Sequence, residues 1–435
     1  MIRRLDARTA GVEAVVRALA RDPDTVAPEV SRQVEEILAA VQARGDAALL
    51  EYAARFDGYR GDAAGLRLTD ADWRADRQVS EETRAALAYA AARIERYHKE
   101  AAPRSWRMSD EHGSVLGQEV RPLARVGLYI PGGRAAYPST VLMTAVPARV
   151  AGVPEIVLVT PPGPDGLVNP VVLAAARIGG VTEAYRLGGA QAIAALAYGT
   201  ATVRRVDKIV GPGNAYVALA KQRVFGRVGI DMVAGPSEVV VVADGSATSA
   251  WVAADLLAQA EHDPMARAIL ITDAAPLLDA VATAVEAQLA ALPRREIARA
   301  SLAANGALVL ATDLAQAVEI ANALAPEHLE LQVADPERLL PHVRHAGAIF
   351  LGCFTPEVIG DYVAGPNHVL PTAGTARFSS PLGTEDFVKR SSVIGYSARG
   401  LAAALPAVRA LARAEGLQAH GAAADIRLPE RGDTR

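Results

Sequence analysis

The hydrophobic rhythm of the chain changes near residue 103. Across 28–103, apolar positions recur at helical spacing, first in PEVSRQVEEILAAVQARGDAALLEYAARFDG and again in EETRAALAYAAARIERYHKEA. Recurrence every three to four residues places side chains on one helix face, so this stretch is predicted to be helical, with Gly58 as a C-cap. The opening MIRRLDARTAGVEAVVRALARD is amphipathic and is also predicted to be helical. Beyond residue 119, short apolar runs alternate with glycine turns and helical segments. EVRPLARVGLYIPGG reads as a strand closing in a turn, STVLMTAVPARVAGV as a helix capped by Ser139, EIVLVTPPG as a buried strand, and NPVVLAAARIGGV as a helix with Pro170 in its first turn. EAYRLGGAQAIAALAYGT and VDKIVGPGNAYVALAKQRVFG each repeat the order strand, glycine turn, helix. A second series starts at SEVVVVADGSAT and runs through SAWVAADLLAQAEHD, RAILITD, GALVLATD, LAQAVEIANALA, HLELQVAD and GAIFLG. Such alternation predicts parallel sheets with crossover helices, and ligands at the carboxyl ends of their strands.

The segment 352–385 follows no period. It is polar and rich in Gly and Pro, yet it holds Tyr362, Val363, Val369, Leu370 and Phe378. Long ordered loops in compact enzymes are commonly functional. The end of the chain reads as a helix, SARGLAAALPAVRALARAEGLQAH, and then as a frayed tail, ADIRLPERGDTR.

Composition narrows the chemistry. At 435 residues and 51% apolar content, the chain can bury more than one core. Its net charge of −4 is scattered, which argues against a nucleic-acid partner. A single cysteine, Cys353, excludes an internal disulfide and a cysteine-based zinc site, so a metal would need His, Asp, Glu or amide ligands. No apolar h-region opens the chain and no apolar run reaches ~20 residues, so neither a secretory signal nor a membrane span is expected and a cytoplasmic location is.

Eight histidines are candidates for chemistry. His98 and His112 fall among polar residues and are expected to be solvated. His342 and His345 are spaced i, i+3 in a predicted helix without an acid nearby. Gln259 and His262 share a helix face at its end, where an amide oxygen and an imidazole can reach one ion. Glu327-His328 places an acid and an imidazole at a strand mouth, as a general acid–base pair requires. Asp361 and His368 flank the loop GDYVAGPNH, a setting that suits ligand binding. Glu415 and His420 read locally as an ordinary helix end. The glycine turns do not match G-x-G-x-x-G. A dinucleotide could still lie over Gly188-Gly189 and Gly211-Pro212-Gly213, with backbone N–H groups facing phosphate, but no fingerprint acid is evident.

Taken together, eight segments in order resemble the histidinol dehydrogenase family: 127–139 (GLYIPGGRAAYPS), 187–192 (LGGAQA), 206–214 (VDKIVGPGN), 230–239 (IDMVAGPSEV), 259–263 (QAEHD), 325–331 (APEHLEL), 360–380 (GDYVAGPNHVLPTAGTARFSS) and 415–420 (EGLQAH). The resemblance covers almost the whole chain. It implies NAD-dependent oxidation of L-histidinol to L-histidine through the bound aldehyde. It implies one zinc held by Gln259, His262, Asp361 and His420, with substrate nitrogens completing the shell. His328 matches the base for the alcohol proton, and Glu327 the residue that activates water. Ser237, His368 and Glu415 match substrate contacts, and the metal ligands and His328 touch substrate as well. Tyr129, Gln191 and Asn214 match NAD contacts. The family is an intertwined homodimer, and His420 reaches the site of the partner subunit.

The expected fold is α/β, with two Rossmann-like parallel-sheet domains, an N-terminal helical segment and a C-terminal helical extension. Its expected boundaries are 1–27 for the N-terminal segment, 28–128 plus 239–380 for the domain with zinc and catalytic residues, 129–238 for the NAD domain, and 381–435 for the extension. Three rival readings remain at this level. They are a relative oxidising another polar alcohol such as a sulfonated diol, a zinc hydrolase with Glu327 as base, and a non-catalytic metal- or nucleotide-binding protein.

Overall fold

The structure is a computed structural model that describes residues 2–20, 27–132, 136–233 and 235–428. Parts of two matched segments, 127–139 and 230–239, and the tip of the expected frayed tail lie outside the described residues. Strand β1 is Arg3–Asp6. Strands β2 (Trp106–Ser109) and β3 (Val115–Pro122) follow the long helices. Next come β4 (Arg125–Tyr129), β5 (Glu155–Thr160), β6 (Glu183–Arg186), β7 (Lys208–Val210) and β8 (Gly229–Ile230). Then come β9 (Glu238–Ala243), β10 (Arg267–Thr272), β11 (Ala307–Leu310), β12 (His328–Gln332), β13 (Ala348–Leu351) and β14 (Val388–Gly395).

The chain divides into two compact units, one of residues 1–101 and 123–387, the other of 102–122 and 388–435. The first unit holds both parallel sheets. One has the order β6-β5-β4-β7-β8, the other β1-β11-β10-β9-β12-β13. Leaving β1 aside, each sheet has its strands third, second, first, fourth, fifth in chain order, the doubly wound arrangement predicted from the serial strand–turn–helix units. Both faces of each sheet are covered, so the strands read as continuous apolar runs. Val239, Val241 and Ala243 enter one core and Val240 and Val242 the other, the two-residue alternation of a strand.

The helical segments pack differently from the expected domain split. Val34, Ile37, Leu38 and Val41 from helix Pro28–Arg44 are buried against Val157, Val159 and Ile193. Leu87, Ala91 and Ile94 from helix Glu81–Glu100 are buried against Val141, Leu142 and Leu173. These helices therefore cover the five-stranded sheet and do not group 28–128 with 239–380. The start of the chain serves the other sheet. Helix Val12–Leu19 forms as expected, but β1 precedes it and pairs parallel with β11.

The second unit is an antiparallel sheet, β14-β3-β2, with helices Ala398–Ala414 and Gln418–Asp425. It begins at β14, with 381–387 belonging to the first unit, and it borrows 102–122 from far upstream. The expected single strand through 119–133 is two strands, β3 and β4, broken at 123–124. Among the described residues, no helix is long and apolar enough to cross a membrane. His342 closes a 3₁₀ turn and His345 lies outside any helix, so the expected helical pair is absent.

His98 overturns the expectation of a solvated side chain. It extends the buried stripe Leu87, Ala91, Ile94 by one turn and is 1% exposed. Neither ring nitrogen has a hydrogen-bond partner among the described residues. Burial lowers its pKa from 6.5 to about 4, because the charged imidazolium loses its water. The unfolded chain thus binds a proton between these values and the folded chain does not. Stability contributed by neutral His98 is complete above pH 6.5 and is lost as pH falls towards 4. We expect urea unfolding at pH 4.5 to show about 2–3 kcal/mol less stability than at pH 7 from this group. His98→Leu should flatten that slope, and an unchanged slope in the variant would refute the assignment.

Candidate active site

A polar row runs through the six-stranded sheet. On β12, Leu329 and Leu331 enter an apolar core, while His328, Glu330 and Gln332 face the other way. Opposite them, helix Ser249–Ala260 presents Asp255 and Gln259, one turn apart. Gln332 Nε2 donates to Asp255 at 2.6 Å and to Glu330 at 2.7 Å. Glu330 carries a pKa raised to about 8 by burial and by neighbouring Asp255. Because the helix connects two parallel strands, it runs back to their amino ends, and its last turn brings Gln259 beside His328.

The chemistry therefore collects at the amino ends of β9 and β12, not at the carboxyl ends expected for this sheet. His328 is the first residue of β12 and is 4% exposed. Its Nδ1 lies 3.0 Å from the Glu238 carbonyl oxygen, which fixes that nitrogen as the N–H donor and leaves Nε2 as the basic atom. Burial lowers the His328 pKa to about 4, against the opposing pull of Asp361. Glu327 accepts from the Glu238 backbone N–H at 2.9 Å and from the Ser237 hydroxyl. Burial holds its carboxyl well above the usual range. Glu238 is itself ion-paired to Arg267, and its second oxygen accepts from Ala373 N–H at 3.1 Å. One buried glutamate thus anchors both Glu327 and His328 through its backbone.

Helix Glu357–Tyr362 supplies the next wall. Gln259 donates its side-chain amide to Glu357 at 2.7 Å, which turns the Gln259 oxygen away from Glu357. Glu357 also lies 3.7 Å from His328 Nδ1. Asp361 follows one turn later. Its carbonyl oxygen is 2.9 Å from His368 Nδ1, and its carboxylate is 3.8 Å from the same atom. His262 sits in the turn just past helix Ser249–Ala260, exposed, and acts electrostatically on both His328 and His368. His328, Glu357 and Asp361 place ligand atoms within 4.8 Å of one another, a set that could hold a metal ion. Among the described residues, Glu327, Glu357 and Asp361 pair with imidazoles and with no Lys or Arg. Buried carboxyls without a cation are costly, so a divalent ion fits this donor set. With His328 Nδ1 committed to a carbonyl and Glu357 committed to Gln259, the oxygen of Gln259 and the Asp361 carboxylate remain as open donors beside His262.

The three residues matched to NAD contacts line one cavity of about 1690 Å³ over the carboxyl ends of the five-stranded sheet. Tyr129 ends β4, and its hydroxyl accepts from Gly189 N–H at 3.1 Å. Gln191 is fully buried, and its Oε1 has no partner among the described residues. Asn214 caps helix Ala215–Val224, accepting from Tyr216 N–H and Val217 N–H. Gly211 has φ +110, and a Cβ there would meet the Tyr129 carbonyl oxygen at 2.2 Å, so only glycine fits this loop. Lys221 and Asp231 clamp the same loop, Lys221 donating to Gly211 O and Asp231 accepting from Gly211 N–H, each at 2.8 Å. The chain that lines the cavity at Tyr129, Pro131 and Ala136 continues into a helix that touches the loop beside the carboxylate cluster. Thr140 Oγ1, on the helix after β4, is 3.2 Å from His368 Nε2, and Asn367 donates to Met143 O at 2.6 Å.

Glu415 and His420 are exposed in the second unit. The remaining candidates, Ser237, Gln259, His262, Glu327, His328, Asp361 and His368, converge in the first.

Comparison with known proteins decides the family. The family model for histidinol dehydrogenase matches residues 20–428. The chain is 52% identical to the histidinol dehydrogenase of Bordetella parapertussis over 99% of its own length and 98% of that protein. It is 54% identical to that of Geobacter sulfurreducens over 98% and 100%. The crystal structure of histidinol dehydrogenase from Elizabethkingia anophelis superposes with a TM-score of 0.93 at 36% identity, over 98% of both chains. The chain belongs to the histidinol dehydrogenase family.

Membership of the histidinol dehydrogenase family makes the chain an oxidoreductase and accounts for its paired parallel sheets. Glu357 was not among the residues singled out from the sequence. The available signal was its spacing: Glu357 and Asp361 are i, i+4, and so share a helix face. Glu357 orients Gln259 and touches His328, so its loss should loosen the donor set. Groups that orient metal ligands typically contribute about 10–100-fold in metal affinity. We expect Glu357→Leu to lose a divalent ion to a chelator at least tenfold more readily than the parent, read by metal analysis after dialysis. Equal retention would remove Glu357 from this role.

Proposed function

We propose that the chain oxidises L-histidinol to L-histidine in two successive steps through bound L-histidinaldehyde, using NAD and one zinc ion, as the last steps of histidine biosynthesis. The observation that carries this reading is the Glu327–His328 pair, buried at the head of β12 beside Gln259, Asp361 and His368. Its partner observation is the cavity lined by Tyr129, Gln191 and Asn214.

In this reading Gln259, His262 and Asp361 hold zinc together with His420 of a second copy. Zinc, when bound, supplies a Lewis-acid anchor for the imidazole and amine of the substrate. NAD, when bound, accepts the hydride in each oxidation. The rest is done by side chains. His328 Nε2 takes the hydroxyl proton, since Nδ1 is held by the Glu238 carbonyl and burial keeps the ring neutral. Glu327, once ionised, draws a proton from water as that water adds to the aldehyde. Its carboxyl is oriented by the Glu238 N–H and the Ser237 hydroxyl. His368, held by Asp361 and Thr140, lines the substrate position with Ser237. Glu415 accepts a hydrogen bond from the substrate amine. Cys353 is exposed and outside the cluster, so the aldehyde proceeds as a hydrate, not as a thiohemiacetal.

The same reading makes the protein a homodimer, and exposed apolar side chains support it. Leu411, Ile394 and Ile426 are 63%, 71% and 83% exposed in the second unit, and Phe354 and Phe378 are 84% and 82% exposed in the first. Large apolar side chains left uncovered in one copy mark a contact surface. A second copy brings Glu415 and His420 to the cluster.

The function is tested by counting NADH formed per L-histidinol consumed. The expected ratio is two, with a loss of about 10²–10⁴-fold in turnover for His328→Asn, the usual weight of a general base. A ratio of zero, or activity confined to sulfonated diols, would overturn the reading. For the dimer, a chain ending at 414 is expected to retain its fold, lose zinc and lose activity. Full activity in that variant would rule out the shared site.

A further inference from the structure

We propose that Asp57 grips the adenosine ribose hydroxyls of the dinucleotide and turns away a 2′-phosphate, so that the cavity takes NAD and rejects NADP. This rests on the reading of the cavity as the dinucleotide site.

In sheets with this strand order, the ribose is held by an acid about 20 residues beyond the first glycine turn, where the second strand ends. Here the second strand is β5, ending at Thr160, and Pro161-Pro162-Gly163-Pro164 follows without an acid; the next residue, Asp165, lines the cavity but turns its Oδ1 to the Leu167 N–H. The structure fills the gap from outside the sheet. Asp57 follows helix Asp46–Phe56 and lines the cavity beside Pro161 and Gln191. A Cβ on Gly188 would meet Asp57 Oδ1 at 2.8 Å and Pro161 Cβ at 2.7 Å. Gly188 is therefore the vacancy that lets this carboxylate approach the end of β5.

Its hydrogen bonds leave specific valences open. Asp57 Oδ2 accepts from Gly188 N–H and from Gln191 Nε2, both at 3.1 Å. Among the described residues, Oδ1 accepts nothing, and Gln191 Oε1, fully buried, also lacks a donor. Asp57 thus offers the cavity an unfilled acceptor, while Gln191 is enclosed and serves to hold Oδ2. A vicinal diol brings two O–H donors that can both turn to this carboxylate. A phosphate brings only acceptor oxygens and negative charge. Among the described residues Asp57 has no ion-pair partner, and Arg74, which lines the same cavity, is not among the groups acting on it, so a second anion set against Asp57 meets an uncompensated carboxylate. The amino end of helix Gly189–Tyr198, ordinarily an anion site, is already filled by this carboxylate.

The test uses the full chain without substrate and follows quenching or enhancement of nicotinamide fluorescence on titration with NADH and NADPH. The parent is expected to bind NADH at least tenfold more tightly. Asp57→Asn keeps the acceptor for Gly188 N–H but removes the charge. It should weaken NADH and strengthen NADPH, so that the ratio falls about tenfold, the weight of one charged hydrogen bond. Asp57→Ser provides a second uncharged variant, with folding checked by circular dichroism. If the parent binds neither dinucleotide, the cavity reading itself fails. If the parent prefers NADH and both variants keep that preference, the cavity reading stands and the role of Asp57 is overturned. Equal binding of both dinucleotides by the parent also overturns it.

Discussion

Carboxyl groups packed into a dry volume without a matching lysine or arginine set the terms for the rest of this molecule. Glu327, Glu330 and Glu357 are each no more than 5% exposed and lie near Asp361 and Asp255. Among the described residues, Arg267 is spent on Glu238. Ionising all of these groups together would cost far more than a domain's net stability. The fold resolves this by keeping protons on some of them and by tying others to backbone N–H groups and amides. Such an arrangement is tolerated in a native structure where an ion or a substrate cation completes it.

The two sheets use opposite ends for their sites, and that geometry makes a two-part reaction possible. The large cavity, read here as the dinucleotide site, lies at the carboxyl ends of β4, β5 and β6, as expected where strand order reverses. The acid–base pair lies at the amino ends of β9 and β12. The contacts Thr140–His368 and Asn367–Met143 join the helix after β4 to the catalytic loop. In the proposed reading, a site at the amino ends of one sheet is thereby tied to a cofactor cavity at the carboxyl ends of the other.

Much of this could be read from the residues. Serial strands, glycine turns and helices gave the parallel sheets, and Glu327-His328 stood out as an acid beside an imidazole. Glu330, Gln332 and Asp255 were equally visible in principle, because HLELQ alternates polar and apolar residues on a buried strand. That alternation was legible only once the strand was known to be covered on both faces. Position relative to other elements was not legible. His98 looks solvated among Tyr97, Lys99 and Glu100 because its burial depends on the helix face and not on its neighbours in sequence. Helices 28–100 carry apolar stripes that fit either sheet, and tertiary packing alone assigns them to the five-stranded one. Asp57 lies 131 positions from the Gly188 amide it accepts from, beyond any local pattern.

Opposite pKa shifts at Glu327 and His328 carry one further consequence. Burial pushes the acid up and the base down, so at each group it disfavours the charged form. A divalent ion nearby favours the ionised carboxyl and disfavours the imidazolium. Positive charge in the cluster thus favours ionised Glu327 and neutral His328, the states that the proposed water activation and alcohol deprotonation require. By linkage, the same coupling makes ion binding release protons and strengthen as pH rises.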